Sequence, residues 1–268
     1  MVSCDFMSLE AESLNKTYSL EELQMMGLRY YTIAKYSQNK ILLDVGCGQG
    51  IGLNYLLNSG TKHIDAIDLD KDNILHSKNN IKTTNYNKIN FEQINFLNFK
   101  SERKYDVISV MEVLQYIPLD LFLNKCKTLL KPKGIIIASI PNIYRKDKLK
   151  QFGLGKYFYS NIQLYDLFQK ASFNPRVFGA FKINNFQSHN KLFFKRIISK
   201  VIMSIPFGKS LMNIIRVKIF KKIVLSKIID NNFMLKYNIT RLKQTLLSKT
   251  KLECDYQLIY IVVQKLYE

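Results

Sequence analysis

Tryptophan is absent from the 268 residues, histidine occurs three times and cysteine four times, and acidic side chains number 21 against 40 basic ones. Each shortage excludes something. The cysteines, at 4, 47, 126 and 254, form no C-x-x-C pair, and the histidines, at 63, 76 and 189, stand far apart. Neither a zinc site nor a disulfide framework is expected, no metal is assigned, and a reducing, cytoplasmic setting is the default. No stretch approaches the roughly 20 uninterrupted apolar residues of a spanning helix. The first residues, MVSCDFMSLEAES, lack the basic flank and apolar centre of a signal peptide. The deficit of acid leaves a net charge of +19. Residues 182–253 hold most of the surplus, with sixteen Lys or Arg against Asp230 and Glu253. A general richness in Lys, Asn and Ile argues against reading all of that charge as functional. What is plentiful is apolar: a hydrophobic content of 47% is ample for a core, in one large domain or one domain with an appendage.

The densest signal is ILLDVGCGQG at 41–50. Ile41 to Val45 is a short apolar run of the kind that forms a strand buried on both faces of a parallel sheet. Gly46, Gly48 and Gly50 follow, where positive φ and missing Cβ atoms let a ligand approach the main chain. The dinucleotide spacing G-x-G-x-x-G fails because Ile51 takes the third glycine slot, and no Gly-Lys-Ser/Thr follows for a phosphate loop. What remains is acid-x-G-x-G-x-G, Asp44 to Gly50. This pattern resembles the glycine-rich motif of class I S-adenosylmethionine (SAM) dependent methyltransferases. The resemblance implies a loop backed onto the amino acid end of SAM, whose ammonium and sulfonium are cationic. That suits Asp44, which would repel a phosphate-bearing ligand.

Leu53, Leu56 and Leu57 then take helical spacing up to Gly60, and HIDAIDLD alternates into a second strand. The result is a βαβ unit of the doubly wound type, in which ligands sit at the C-terminal ends of the strands. Asp68 lies there. The resemblance gives it the ribose hydroxyls, and Asp70 or Asp72 is left to cap the next helix. INFEQINFLNF reads as a third strand and a turn. Asn95 stands where the family carries an Asp that binds the adenine amino group, and its amide oxygen can accept the same bond. Phe96 beside it packs either on the adenine face or in the core. YDVISVMEVLQYIP is a fourth strand, resembling the family's F-D-V-V with E-V-L-E-H-I-P after it. Gln115 and Tyr116 replace the Glu and His common there. The family's His lies toward the substrate, so Tyr116 is the substrate-side candidate; no imidazole base is available and the catalytic residue stays unassigned. No Asn/Asp-Pro-Pro-Tyr/Phe follows, which argues against methylation of an exocyclic base amine. LLKPKGIIIASIPN resembles the family's K-P-G-G turn and fifth strand. YSNIQLYDLFQKASFNPRVFGAF reads as a helix capped by Ser160 or Asn161 and a sixth strand, and DYQLIYIVVQK as a seventh. Upstream, GLRYYTIAKYSQNK reads as helix. Its Arg29 resembles an arginine of sugar- and glycan-pathway methyltransferases and suits the cofactor carboxylate. The same resemblance sets Cys47, Leu69 and Met111 against SAM.

The expectation is an α/β, Rossmann-like seven-stranded class I methyltransferase sheet with helices on both faces, plus a helical insertion. Residues 1–39 form an N-terminal helical cap, 40–181 the SAM-binding core, 182–253 the basic amphipathic insertion and 254–268 the final strand. In the insertion Phe194, Ile197, Ile198, Val201, Ile202 and Ile205 make one apolar face; Leu211, Ile215, Ile219 and Ile223 make another, flanked by Lys218, Lys221 and Lys222. Such a segment suits an anionic membrane surface, a lid over the substrate, or an RNA grip, the large apolar faces making nucleic acid the least favoured. The implied reaction is methyl transfer to an oxygen or nitrogen of a small-molecule, sugar or lipid-linked acceptor. It asks mainly for in-line positioning and exclusion of water. An RNA methyltransferase and a non-catalytic SAM-binding relative are the alternatives, and the setting is cytoplasmic, free or peripheral to a membrane.

Overall fold

The computed structural model describes residues 14, 16–145, 155–182, 223–225 and 228–266. A two-residue strand, β1 (Thr17–Tyr18), leads into helix α1 (Leu20–Ser37). A capping box starts that helix: Ser19 Oγ accepts from the Glu22 amide at 3.1 Å and the Glu22 carboxylate accepts from the Ser19 amide at 2.6 Å. There follow β2 (Ile41–Val45), α2 (Leu53–Asn58), β3 (His63–Asp68), α3 (Lys71–Asn80), β4 (Ile89–Gln93), β5 (Tyr105–Met111), α4 (Leu119–Leu129), β6 (Leu130–Pro141), α5 (Asn161–Lys170) and β7 (Phe173–Lys182). Beyond Lys182 the described residues form β8 (Ile223–Val224), α6 (Asn231–Lys236), β9 (Thr245–Leu246) and β10 (Tyr256–Lys265).

The main sheet runs β4-β3-β2-β5-β6-β10-β7-β9. From β4 to β6 the strands are parallel, and β10 enters antiparallel between β6 and β7. This is the expected Rossmann-like sheet with one strand more than seven, because β9 adds a two-residue pairing to the edge of β7. A pairing that short leaves no alternation to read. Alternation along the long strands divides their apolar runs between two cores. Leu42, Ile64, Val107, Ile137 and Tyr260 pack with residues of α1 and α2 on one face. Leu43, Ile67, Ile108, Ile136 and Ile259 pack with residues of α4 and α5 on the other. The chain leaves β2 for β3 on one side and returns to β5 on the other, and this reversal opens a crevice at the carboxyl ends of the parallel strands.

Ile223, expected on a helix face, lies instead in β8, where Tyr18 pairs with Ile223 and Thr17 with Val224. Backbone pairing with a distant strand overrides the helical spacing of its apolar neighbours. The rest of that amphipathic stretch, Phe194 to Lys222, lies outside the described residues. Among the described residues no helix is long and apolar enough to cross a membrane.

Candidate active site

The loop that leaves β2 turns through Gly46 (φ +74°) and Gly48 (φ +54°), conformations that cost other residues dearly. Its amides are used by the fold itself. Gly46 and Cys47 donate to the Ile67 carbonyl of β3 at 2.8 and 3.0 Å, and the Gly48 amide donates to Asp68 Oδ2 at 2.8 Å. A phosphate cradle would aim such amides at the ligand. Asp68 Oδ1 accepts from the Asp70 amide at 2.9 Å and from Asn73 Nδ2 at 3.3 Å, so this carboxylate ties the loop to the start of α3. Asp70 caps that helix, accepting from the Asp72 and Asn73 amides. Gly50 departs from its expected role in ligand approach. It is not on the cavity wall, and a Cβ there would meet Ser77 Oγ at 2.8 Å, so close packing against α3 requires the glycine.

Loop, strand ends and α1 enclose a cavity of about 1010 Å³. Its wall brings together Arg29, Asp44, Gly46, Cys47, Gly48, Asp68, Leu69, Asn95, Phe96, Met111 and Tyr116, all named from the sequence. Helix α1 contributes Met25, Met26, Arg29, Tyr30 and Ile33, one face at three- and four-residue spacing. Asn95 Oδ1 accepts from the Leu97 amide at 2.9 Å, capping a short 3-10 turn at Phe96–Asn98 and keeping a second lone pair for a donor. Phe96 is chiefly a core residue: it is buried, with its ring 5.2 Å from that of Phe122.

Asp44 sits at the floor, 5% exposed, and Ser109 Oγ donates to its Oδ1 at 2.5 Å. Burial pushes its carboxyl up to about 6; the Ser109 bond opposes this and the nearby Asp68 charge adds to it. The same burial, with Asp44 and Asp68 close by, pushes the Cys47 thiol far up, so it stays neutral and is no nucleophile. A buried acid that resists ionising next to a second acid fits a cationic ligand better than an anionic one. Among the described residues no group of three or more His, Cys, Asp or Glu is placed to hold a metal.

Glu112 is not among the sequence-based site candidates, although it directly follows the last residue of β5, Met111. It lies on the cavity wall with φ +56°, a left-handed conformation costing a non-glycine residue of order 1–3 kcal/mol. Its amide donates to the Ser139 carbonyl at 3.1 Å and its Oε1 accepts from Ser139 Oγ at 2.8 Å. Contacts with β6 therefore hold the strained residue, and its carboxylate, in place.

Residues 36–173 match a family described as a methyltransferase domain. The ubiquinone biosynthesis O-methyltransferase of Paraburkholderia phytofirmans is 33% identical over 128 residues, 46% of this chain and 53% of that protein. The chain thus spans about half the length of the curated relatives it matches. Among solved structures, a SAM dependent methyltransferase from Archaeoglobus fulgidus superposes with a TM-score of 0.55 at 13% identity, over 91% of this chain and 94% of that one. The plantazolicin methyltransferase in complex with SAH, the demethylated product of SAM, gives a TM-score of 0.51 at 16% identity, over 91% and 83%. At these identities the two structures share the fold.

Proposed function

Because the chain belongs to the class I SAM-dependent methyltransferases, we propose that it transfers the methyl group of SAM to an oxygen of a small molecule bound in the crevice at the strand ends. The observation that carries this reading is Asp44, a buried acid on the cavity wall beside Asp68, with the Gly46, Cys47 and Gly48 amides already bonded within the fold. The names of the curated relatives support oxygen and a small molecule; they lend nothing to a sugar or lipid-linked acceptor.

Bound SAM supplies a methyl group on a cationic sulfur, open to attack by a nucleophile. The chain's part is to hold and orient it. In this reading Asp44 faces the ammonium, Asp68 the ribose, Arg29 the carboxylate, and Asn95, Phe96 and Leu69 the adenine end. Met25, Met26 and Ile33 of α1 keep water from the reacting atoms. The acceptor oxygen forms a bond to the methyl carbon, the carbon–sulfur pair stays on sulfur, and the proton that oxygen loses goes to the Glu112 carboxylate.

Calorimetry should give micromolar dissociation constants for SAM and SAH and no heat with NAD. Mass spectrometry with methyl-labelled SAM should then place the label on an oxygen within a panel of small phenols and alcohols. Glu112→Gln should keep SAH affinity and lower turnover by about 100-fold or more. Binding without transfer would favour a SAM-binding relative that does not turn over, and heat from NAD alone would end the reading.

A further inference from the structure

Gln115 lies in the 3-10 turn Leu114–Tyr116 that follows β5, 6% exposed, on the cavity wall with Glu112 and Tyr116. Its Nε2 donates to the Glu112 carbonyl at 2.6 Å. A carbonyl oxygen can only accept, so this contact fixes which end of the amide is nitrogen. Oε1 is left on the other side, buried, with no hydrogen-bond partner among the described residues. Buried polar atoms without partners are rare, and one in a cavity wall points to a group brought by a ligand. Nor can the residue readily swing away to solvent. Its own carbonyl accepts from the Lys156 and Tyr157 amides at 2.7 and 3.0 Å, and a Cβ on Gly155 would stand 2.7 Å from its Cγ. The strap at 155–157 lies tight upon it.

We propose that Gln115 Oε1 accepts a hydrogen bond from a second O–H or N–H of the methyl acceptor, next to the oxygen that is methylated. Glu112 and Gln115, three residues apart, line the same cavity, and the 2.6 Å bond from Gln115 Nε2 to the Glu112 main-chain carbonyl fixes one against the other. An amide oxygen cannot serve the reacting hydroxyl itself. That group gives up its hydrogen, and its lone pairs would then face Oε1 and repel it. A neighbouring donor keeps its hydrogen throughout, and a molecule lacking it would seal Oε1 from water with no partner. The substrate class is therefore a small molecule with two adjacent polar groups, at least one of them a donor. This deepens the methyl-transfer reading above and rests on it.

The test is calorimetry on SAH-loaded protein with phenol and with catechol and 2-aminophenol, which add one neighbouring O–H or N–H. Wild type should bind one of the latter at least about tenfold more tightly than phenol. Gln115→Met and Gln115→Glu both remove the Nε2 donor to Glu112, and only Glu keeps an acceptor oxygen. The preference should vanish in Gln115→Met and survive in Gln115→Glu, with SAH affinity unchanged in both. Equal loss in the two variants would show that Gln115 acts through its Nε2 bond and would overturn the proposal. So would weaker SAH binding in Gln115→Met, which would assign Oε1 to the cofactor. Wild type binding phenol as well as the other two, or binding none of the three, overturns it without any variant. The preference with no methyl transfer to any acceptor would instead fail the enzymatic reading and leave the recognition standing.

Discussion

Asp44 holds a charge that the ligand-free protein would be more stable without. Its folded value near 6 lies above the ordinary 3.8, so the folded state binds this proton more tightly than the unfolded chain does. Ionised Asp44 therefore destabilises above about pH 6, and the penalty fades as pH falls through 6 toward 3.8. A cation in the cavity reverses the preference. Asp44→Asn should raise the stability of ligand-free protein at pH 7.5 by on the order of 2 kcal/mol while weakening SAM binding, read by thermal melts and calorimetry. In wild type, SAM affinity should fall about tenfold per pH unit below 6, and the variant should lose that dependence. A flat wild-type profile would mean that no proton leaves Asp44 when SAM binds. The acid was legible because the motif is local: strand, acid and glycines occupy one short stretch. Glu112 and Gln115 were printed just as plainly. The roles proposed for them depend on a left-handed φ, on Ser139 27 residues away and on the strap at 155–157, and none of these is a spacing.

Among the elements, α1 joins the cavity to the end of the chain. One face carries Met25, Met26, Arg29, Tyr30 and Ile33 to the cavity. Gly27, between them in sequence, lets the helix approach the other partner: a Cβ there would stand 2.6 Å from Ile239 Cδ1 and 3.0 Å from Phe233 Cε1. Gly27→Leu should overpack this contact, cost about 1–3 kcal/mol, and lower SAM affinity by shifting the cavity face. Urea unfolding and calorimetry on the same variant check both. Lost stability with intact affinity would mean that the cavity face is held independently of the contact with α6. The C-terminal part of α1 was readable as a helix from its sequence. Its start at Leu20 is marked locally by the S-x-x-E capping box of Ser19 and Glu22; its partners are not, since Gln24 bonds the Tyr237 carbonyl across a separation of 213 residues. The same non-locality hid β8, whose pairing with β1 decides its backbone.

At the scale of the molecule, one sheet carries two buried carboxylates with opposite consequences. Asp44 and Asp68 stand at the carboxyl ends of β2 and β3, where the ligand reading needs negative charge. Asp65, three residues earlier on β3, is saturated with donors: Tyr105 Oη at 2.6 Å, Arg103 Nη1 at 3.0 Å to each oxygen, His63 Nε2 at 3.0 Å and Asn90 Nδ2 at 3.0 Å. Burial alone would raise Asp65, but the bonds from Tyr105, His63 and Asn90 and the Arg103 charge outweigh it and hold the carboxyl below 3.8. Ionised Asp65 thus stabilises the fold at pH values above 3.8, and that contribution is lost as pH falls through its lower folded value. These donors come from β3, β4, β5 and the turn before β5, so one carboxylate pins three parallel strands near their starts while the strand tips are left to bind. Asp65→Asn should lower stability at pH 7 by about 2–4 kcal/mol, with Arg103 and Tyr105 deprived of an ionic acceptor. SAM affinity should stay as in wild type. Urea unfolding at pH 7 and at pH 3 separates charge from packing: the gap between wild type and variant should shrink markedly at the lower pH. An undiminished gap would mean that the cluster holds the strands by shape and neutral hydrogen bonds, and that the ionised carboxylate adds nothing to them.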